Sequence, residues 1–84
     1  MKPVEWSPHA IHMMTERAIE ADWIERVIAA PERISPDATD SARQCAFGRI
    51  DEFGGRWLRV VYFETAAAVR VITAFFDRGV EKQR

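Results

Sequence analysis

Between residues 56 and 78, two runs rich in β-branched and aromatic side chains flank the small residues Ala66 and Ala67. That is the pattern of two strands joined by a tight turn. A turn of two or four residues centred there sets Glu64 opposite Val69, Tyr62 opposite Val71, Val60 opposite Thr73 and Leu58 opposite Phe75, and opposite residues share a face. One face then carries Leu58, Val60, Tyr62, Val69, Val71, Thr73 and Phe75, apolar enough to lie beneath helices. The other carries Trp57, Arg59, Val61, Phe63, Arg70, Ile72, Ala74, Phe76 and Arg78. On this second face arginines alternate with aromatics, and it is expected to look towards solvent as the candidate functional surface.

Upstream the period changes. Val4-Glu5-Trp6 reads as a short edge strand, and Ser7-Pro8 supplies an N-cap and a first-turn proline. Ala10, Ile11, Met14 and Ala18 then recur at helical spacing over about three turns. Asp22 is placed to cap a second helix whose buried stripe is Trp23, Ile24, Val27 and Ile28, and Pro31 ends it. Residues 31–43, rich in Pro, Ser, Asp and Thr, read as a surface loop. Residues 44–50 read as a strand, returned by a turn containing Gly54-Gly55. A strict two-residue turn would force Arg49 and Asp51 into the core beside Val60 and Leu58, which is costly for unpaired charges. An odd-length turn is therefore expected, with Ala46, Gly48 and Ile50 inward and Phe47 and Arg49 on the face of Arg59 and Arg70. The predicted order is β-α-α-β-β-β, an α+β fold with two N-terminal helices packed on one face of an antiparallel sheet.

Composition narrows the class. With 84 residues, 48% of them hydrophobic, the chain supports one core, hence a single domain over residues 1–84, with the tail 79–84 expected to fray. The formal net charge of −1 lacks the basic excess usual where phosphate backbones are held. The charge is uneven, however: residues 1–55 hold six Lys/Arg against ten Asp/Glu, and residues 56–84 hold six against three. The basic balance thus sits on the hairpin and tail. Cys45 is the one cysteine, which excludes an internal disulfide and suits a reducing compartment. No apolar run approaches membrane-spanning length and no signal-peptide pattern opens the chain, so no membrane is expected and the location is read as cytoplasmic. His9, His12 and Glu16 share a helix face but lack a further ligand nearby, so no metal or other cofactor is expected. Cys45 has no helper at a recognisable spacing and reads as a small hydrophobe.

The segments Val4-Glu5-Trp6-Ser7-Pro8, Glu16-Arg17-Ala18-Ile19 and Arg70-Val71-Ile72-Thr73-Ala74 resemble the pattern of BrnT-type toxins in the RelE/ParE superfamily. Ser7-Pro8-His9-Ala10 through Met14-Thr15-Glu16-Arg17-Ala18-Ile19 is more similar still to a family of small uncharacterised bacterial proteins associated with that superfamily. BrnT-like toxins have a basic residue and a histidine at the positions of Glu16-Arg17, and arginines at those of Phe75-Phe76-Asp77. The resemblance implies two helices on a curved antiparallel sheet and a toxin-like component of a toxin–antitoxin system. It also implies an antitoxin protein and RNA as partners and, in active members, metal-independent cleavage of messenger RNA. Such cleavage needs proton transfer and cations for the phosphorane charge. In this chain His9 is the candidate for the first, with Tyr62 behind it on the core face, and Arg59, Arg70 and Arg78 for the second. Arg49, Trp57, Arg59, Arg70 and Phe76 are the candidate RNA- or partner-binding set, suited to stacking unpaired bases and contacting phosphates. The same residue types dominate protein–protein hot spots, so a non-catalytic interaction module, as a homodimer or with another protein, is the second reading.

Overall fold

The computed structural model describes residues 2–80. Its elements run β1 (Val4–Trp6), α1 (Pro8–Arg17), α2 (Ala21–Ala29), β2 (Arg33–Pro36), β3 (Gln44–Ile50), a 3-10 turn (Asp51–Phe53), β4 (Arg56–Glu64) and β5 (Val69–Phe76). The fold is α+β, with both helices packed on one face of a five-stranded sheet ordered β1-β5-β4-β3-β2. The sheet is mixed rather than purely antiparallel, because β1 runs parallel to β5 with Val4 beside Val69 and Trp6 beside Val71. The second departure is β2, which occupies part of the expected loop. Arg33-Ile34-Ser35-Pro36 has turn-like composition, yet it pairs antiparallel with Phe47-Ala46-Cys45-Gln44. Tertiary pairing overrides local propensity here, and Pro36 is tolerated because it lies at the end of an edge strand.

Ser7 anchors the start of α1. Its hydroxyl accepts the amide of Ala10 at 3.0 Å and donates to the carbonyl of Ile72 at 2.8 Å, so one side chain caps the helix and ties it to β5. Ala18 ends the helix in a left-handed conformation (φ 53°), which turns the chain and buries Ile19. Ile11, expected in the buried stripe, is instead 53% exposed, since only Ala10 of this short helix reaches full burial. The N-cap of α2 is Glu20, without a side-chain cap bond. Asp22 lies inside the first turn and pairs with Arg26 at 3.2 Å. Trp23, Ile24 and Val27 form the face of α2 that packs on the sheet. The approach is close at Gly48, where a Cβ would stand 3.0 Å from Cγ2 of Val27.

The β3–β4 connection is odd in length, as the cost of burying Arg49 and Asp51 required. Ile50 pairs with Arg56 and Phe47 with Arg59, so Ala46, Gly48 and Ile50 face the helices while Phe47 and Arg49 do not. In the β4–β5 hairpin, a four-residue loop closed by the Thr65 amide on the Ala68 carbonyl gives the expected pairs Glu64–Val69 and Tyr62–Val71. Beyond Tyr62 the register slips by one residue, to Val61–Thr73, Val60–Ala74, Arg59–Phe75 and Leu58–Phe76. Ile72 is left without a partner on β4, the signature of a β-bulge. The expected faces of the last part of β5 are therefore exchanged: Ala74 and Phe76 belong to the core, and Phe75 lies beside Arg59.

The tail is also corrected in part. Val80 is only 1% exposed and packs with Cys45, Phe47 and Val61 on the face away from the helices, so Gly79 and Val80 are docked rather than frayed. The remainder of that expectation, residues 81–84, lies outside the described residues. Val60 and Val71 are fully buried in the helix-side core. Replacing either with Asp inserts an unpaired charge there, and cooperative thermal unfolding followed by circular dichroism is expected to be lost in both variants.

Candidate functional site

On the face away from the helices, the register sets Phe47, Arg59 and Phe75 abreast on three adjacent strands. The guanidinium carbon of Arg59 lies 5.5 Å from the Phe47 ring centroid and 5.6 Å from that of Phe75, a cation held between two aromatic neighbours. It is also ion-paired: Nη1 donates to Asp77 Oδ2 at 3.2 Å, Nη2 donates to Cys45 Sγ at 3.4 Å, and Asp37 Oδ1 lies 4.0 Å away. The Cys45 thiol donates in turn to Asp37 Oδ1 at 3.8 Å. Burial disfavours the Arg59 charge, but the bonds to Cys45 and Asp77 more than offset it and hold the guanidinium pKa above its ordinary value. With a side chain 25% exposed beneath the turn that carries Asp77 and Val80, Arg59 does not stand on an open surface.

The other expected cations are also engaged. Arg49 makes a forked contact with Glu32, whose carboxylate also accepts the Arg49 amide at 2.7 Å, and its guanidinium lies 5.4 Å from the Trp57 ring. Arg70 reaches Glu5 across the β1–β5 pair at 3.8 Å. Its β4 partner is Phe63, four residues along the strand from Arg59. At the usual strand rise that separates the two arginines by about 13 Å. Phe76, expected as a binding residue, stacks on Phe53 (centroids 4.4 Å apart) and meets Trp23 edge-on within the core. His9 is exposed on α1, across the sheet from Arg59, so the structure does not bring it together with the arginines. Tyr62 is buried on the helix side, where burial pushes its phenol pKa up. His12 lies 3.7 Å from Glu16 on the exposed part of α1.

What the pattern of the chain did not point out is a cleft of about 280 Å³ where the β3–β4 turn meets the end of β5, lined by Gly54, Gly55, Arg56, Trp57, Phe76, Asp77 and Arg78. Gly54 and Gly55 both take positive φ (70° and 71°), a conformation that favours glycine, and they close the turn through amides on the Asp51 and Ile50 carbonyls. The Asp77 amide donates to the Trp57 carbonyl at 2.9 Å, and its carboxylate is shared between Arg59 and the Gly79 amide. Arg56 and Arg78 are exposed and make no ion pair among the described residues, although Arg56 lies 5.4 Å from the Phe53 ring. The indole Nε1 of Trp57 is buried and has no acceptor among the described residues. Of the lining residues, Trp57, Phe76 and Arg78 are candidates from sequence. Arg56 was missed because strict alternation assigns it to the inner face, whereas at the mouth of the strand it reaches solvent.

Residues 6–76 match a protein family described as a domain of unknown function (DUF4258). The matched range runs from the end of β1 to the end of β5, so Asp77, Arg78 and Val80 lie just beyond it. No curated protein and no solved structure matches the chain.

Two expectations follow from the ion pairs. Arg59→Ala strands the Asp77 carboxylate, which is only 17% exposed, and is expected to destabilise the fold by about 1–3 kcal/mol. Arg70→Ala should leave the melting temperature within a few degrees. A double-mutant cycle of Arg59→Ala with Asp77→Ala, read by thermal unfolding, measures the coupling. The second expectation concerns pH. The Arg49 contact lowers the carboxyl pKa of Glu32, and the Thr39 hydroxyl lowers that of Asp37. Depressed folded-state values mean that the unfolded chain binds more protons in acid. Their contribution is therefore present above the unfolded pKa of about 4 and is lost as pH falls through the folded values. The melting temperature is expected to drop on acidification below about pH 4, less steeply in Glu32→Gln, as a pH series of thermal melts would record.

Proposed function

We propose that this chain, which belongs to the DUF4258 family of domains of unknown function, is the RNA-binding, toxin-like component of a toxin–antitoxin pair acting in the cytoplasm. In this reading it takes single-stranded RNA at the cleft beside the Gly54-Gly55 turn. The observation that carries the reading is the pairing of Arg56 and Arg78, two cations without ionic partners among the described residues, with the aromatic walls Trp57 and Phe76 in one cleft. Single strands are held by phosphate contacts and by aromatic surfaces. Arg49, Arg59 and Arg70 must each give up a carboxylate before they can hold a phosphate, whereas Arg56 and Arg78 need not. The role is binding rather than turnover, because His9 lies across the sheet and Tyr62 is buried among the helices, so neither reaches the cleft. A second reading, docking of a protein such as an antitoxin, is favoured by the partly exposed Phe63, Ile72 and Phe75 on the helix-free face.

The test is fluorescence anisotropy with a labelled, unstructured oligoribonucleotide. Affinity is expected to fall steeply between about 50 and 200 mM salt, as counterion release requires. Arg56→Ala with Arg78→Ala should weaken binding at least about tenfold, while the melting temperature stays within a few degrees because both side chains are exposed. Absence of binding at low salt, or equal binding by the double variant, would refute RNA recognition at this cleft.

A further inference from the structure

The cleft has more definition than a basic patch. At about 280 Å³ it has room for one small group. Its charge balance is specific. The Asp77 carboxylate is neutralised by Arg59 and bonded to the Gly79 amide, which leaves Arg56 and Arg78 at the rim with no ion pair among the described residues. Trp57 and Phe76 supply aromatic surface to the same cleft.

We infer that this cleft is a phosphomonoester site, in which Arg56 and Arg78 balance the dianion. A phosphomonoester carries a charge of about −1.5 to −2 at neutral pH and three terminal acceptor oxygens, which suits two guanidinium forks. An internal phosphodiester and a carboxylate each carry one charge, so both leave a cation unmatched. The inference deepens the RNA reading by naming the group on the RNA, a phosphorylated strand end, and it rests on that reading only for the source of the phosphate. A free nucleotide presents the same chemistry.

Titration of the full chain with adenosine 5′-monophosphate, adenosine and inorganic phosphate, read by tryptophan emission and calorimetry, tests the site directly. The monophosphate is expected to bind at least about tenfold more tightly than adenosine. Its effect on emission should vanish in Trp57→Phe, which keeps the other two tryptophans and an aromatic ring at this position. Binding should weaken from about pH 7.5 to pH 5 as the monoester takes up its second proton near pH 6. None of the residues lining the cleft is a histidine, so that pH dependence belongs to the ligand. A second arm compares oligoribonucleotides bearing a 5′-phosphate, a 3′-phosphate or neither, and Arg56→Ala with Arg78→Ala should erase any preference. If adenosine binds as well as its monophosphate, or if affinity is unchanged at pH 5, the phosphomonoester site is overturned. If all three oligonucleotides bind equally and salt-sensitively, RNA recognition stands and this inference fails. If the monophosphate binds through Arg56 and Arg78 but no oligonucleotide does, the site stands and the RNA reading fails.

Discussion

Between Val61 and Tyr62 the ladder of β4 and β5 slips by one residue, leaving Ile72 without a partner on β4. Had the register set at the turn continued, Leu58 would face Phe75 and Arg59 would face Ala74. Trp23 and Phe53 would then lose the ring of Phe76, and the Arg59 guanidinium would keep an aromatic neighbour on one side only. The bulge therefore builds the aromatic corner of the core and the cation–aromatic sandwich of the opposite face in one step. Bulges bend and twist the strand that carries them and disturb the ladder locally. Here the Ser7 hydroxyl bonds to the Ile72 carbonyl while capping α1, so the irregularity and the first helix stabilise each other.

Past the bulge, the constraint becomes one of charge. Arg59 is removed from much of the solvent, and such a cation is tolerated only with partners. Those partners come from three separate places: Asp37 after β2, Cys45 on β3 and Asp77 after β5. Val80 completes the cover by packing on Cys45, Phe47 and Val61. The arginine that most resembles a functional cation by its position between aromatics is thus an organiser of the surrounding chain. Its ion pairs explain why it holds the tail in place, and they also make it unavailable to a ligand unless that contact opens.

Much of this arrangement was legible along the chain, for identifiable reasons. The cap of α1 followed from Ser7-Pro8, the buried face of α2 from Trp23, Ile24 and Val27, and the inward set of β3 from the cost of burying Arg49 and Asp51. The faces of β4 were also legible, because alternation within one strand survives any change of register. The bulge was not. Ile72 and Thr73 are both ordinary strand residues, and no glycine or proline announces the slip. Strand β2 was hidden by its proline and serine, since its hydrogen bonds are made to β3 and not encoded by local preference. The cleft was hidden for the same reason as Phe76: it forms where two turns distant in sequence meet, and their meeting depends on the register beyond Val61.

The cleft can be traced to the same slip. With Phe76 turned into the core, the next residue donates its amide to the Trp57 carbonyl and gives its carboxylate to Arg59, and Arg78 then joins Arg56 at the mouth of the cleft opened by Gly54-Gly55. Net charge is a poor guide to such a place. The overall value of −1 counts carboxylates already committed: Glu5 to Arg70, Glu32 to Arg49, Asp40 to Arg43, Asp77 to Arg59, and Asp22 and Glu52 to Arg26. An incoming anion responds to the charges these pairs leave over, weighted by distance and screened beyond about 8–10 Å. At the cleft those charges are the two guanidinium groups of Arg56 and Arg78, which make no ion pair among the described residues.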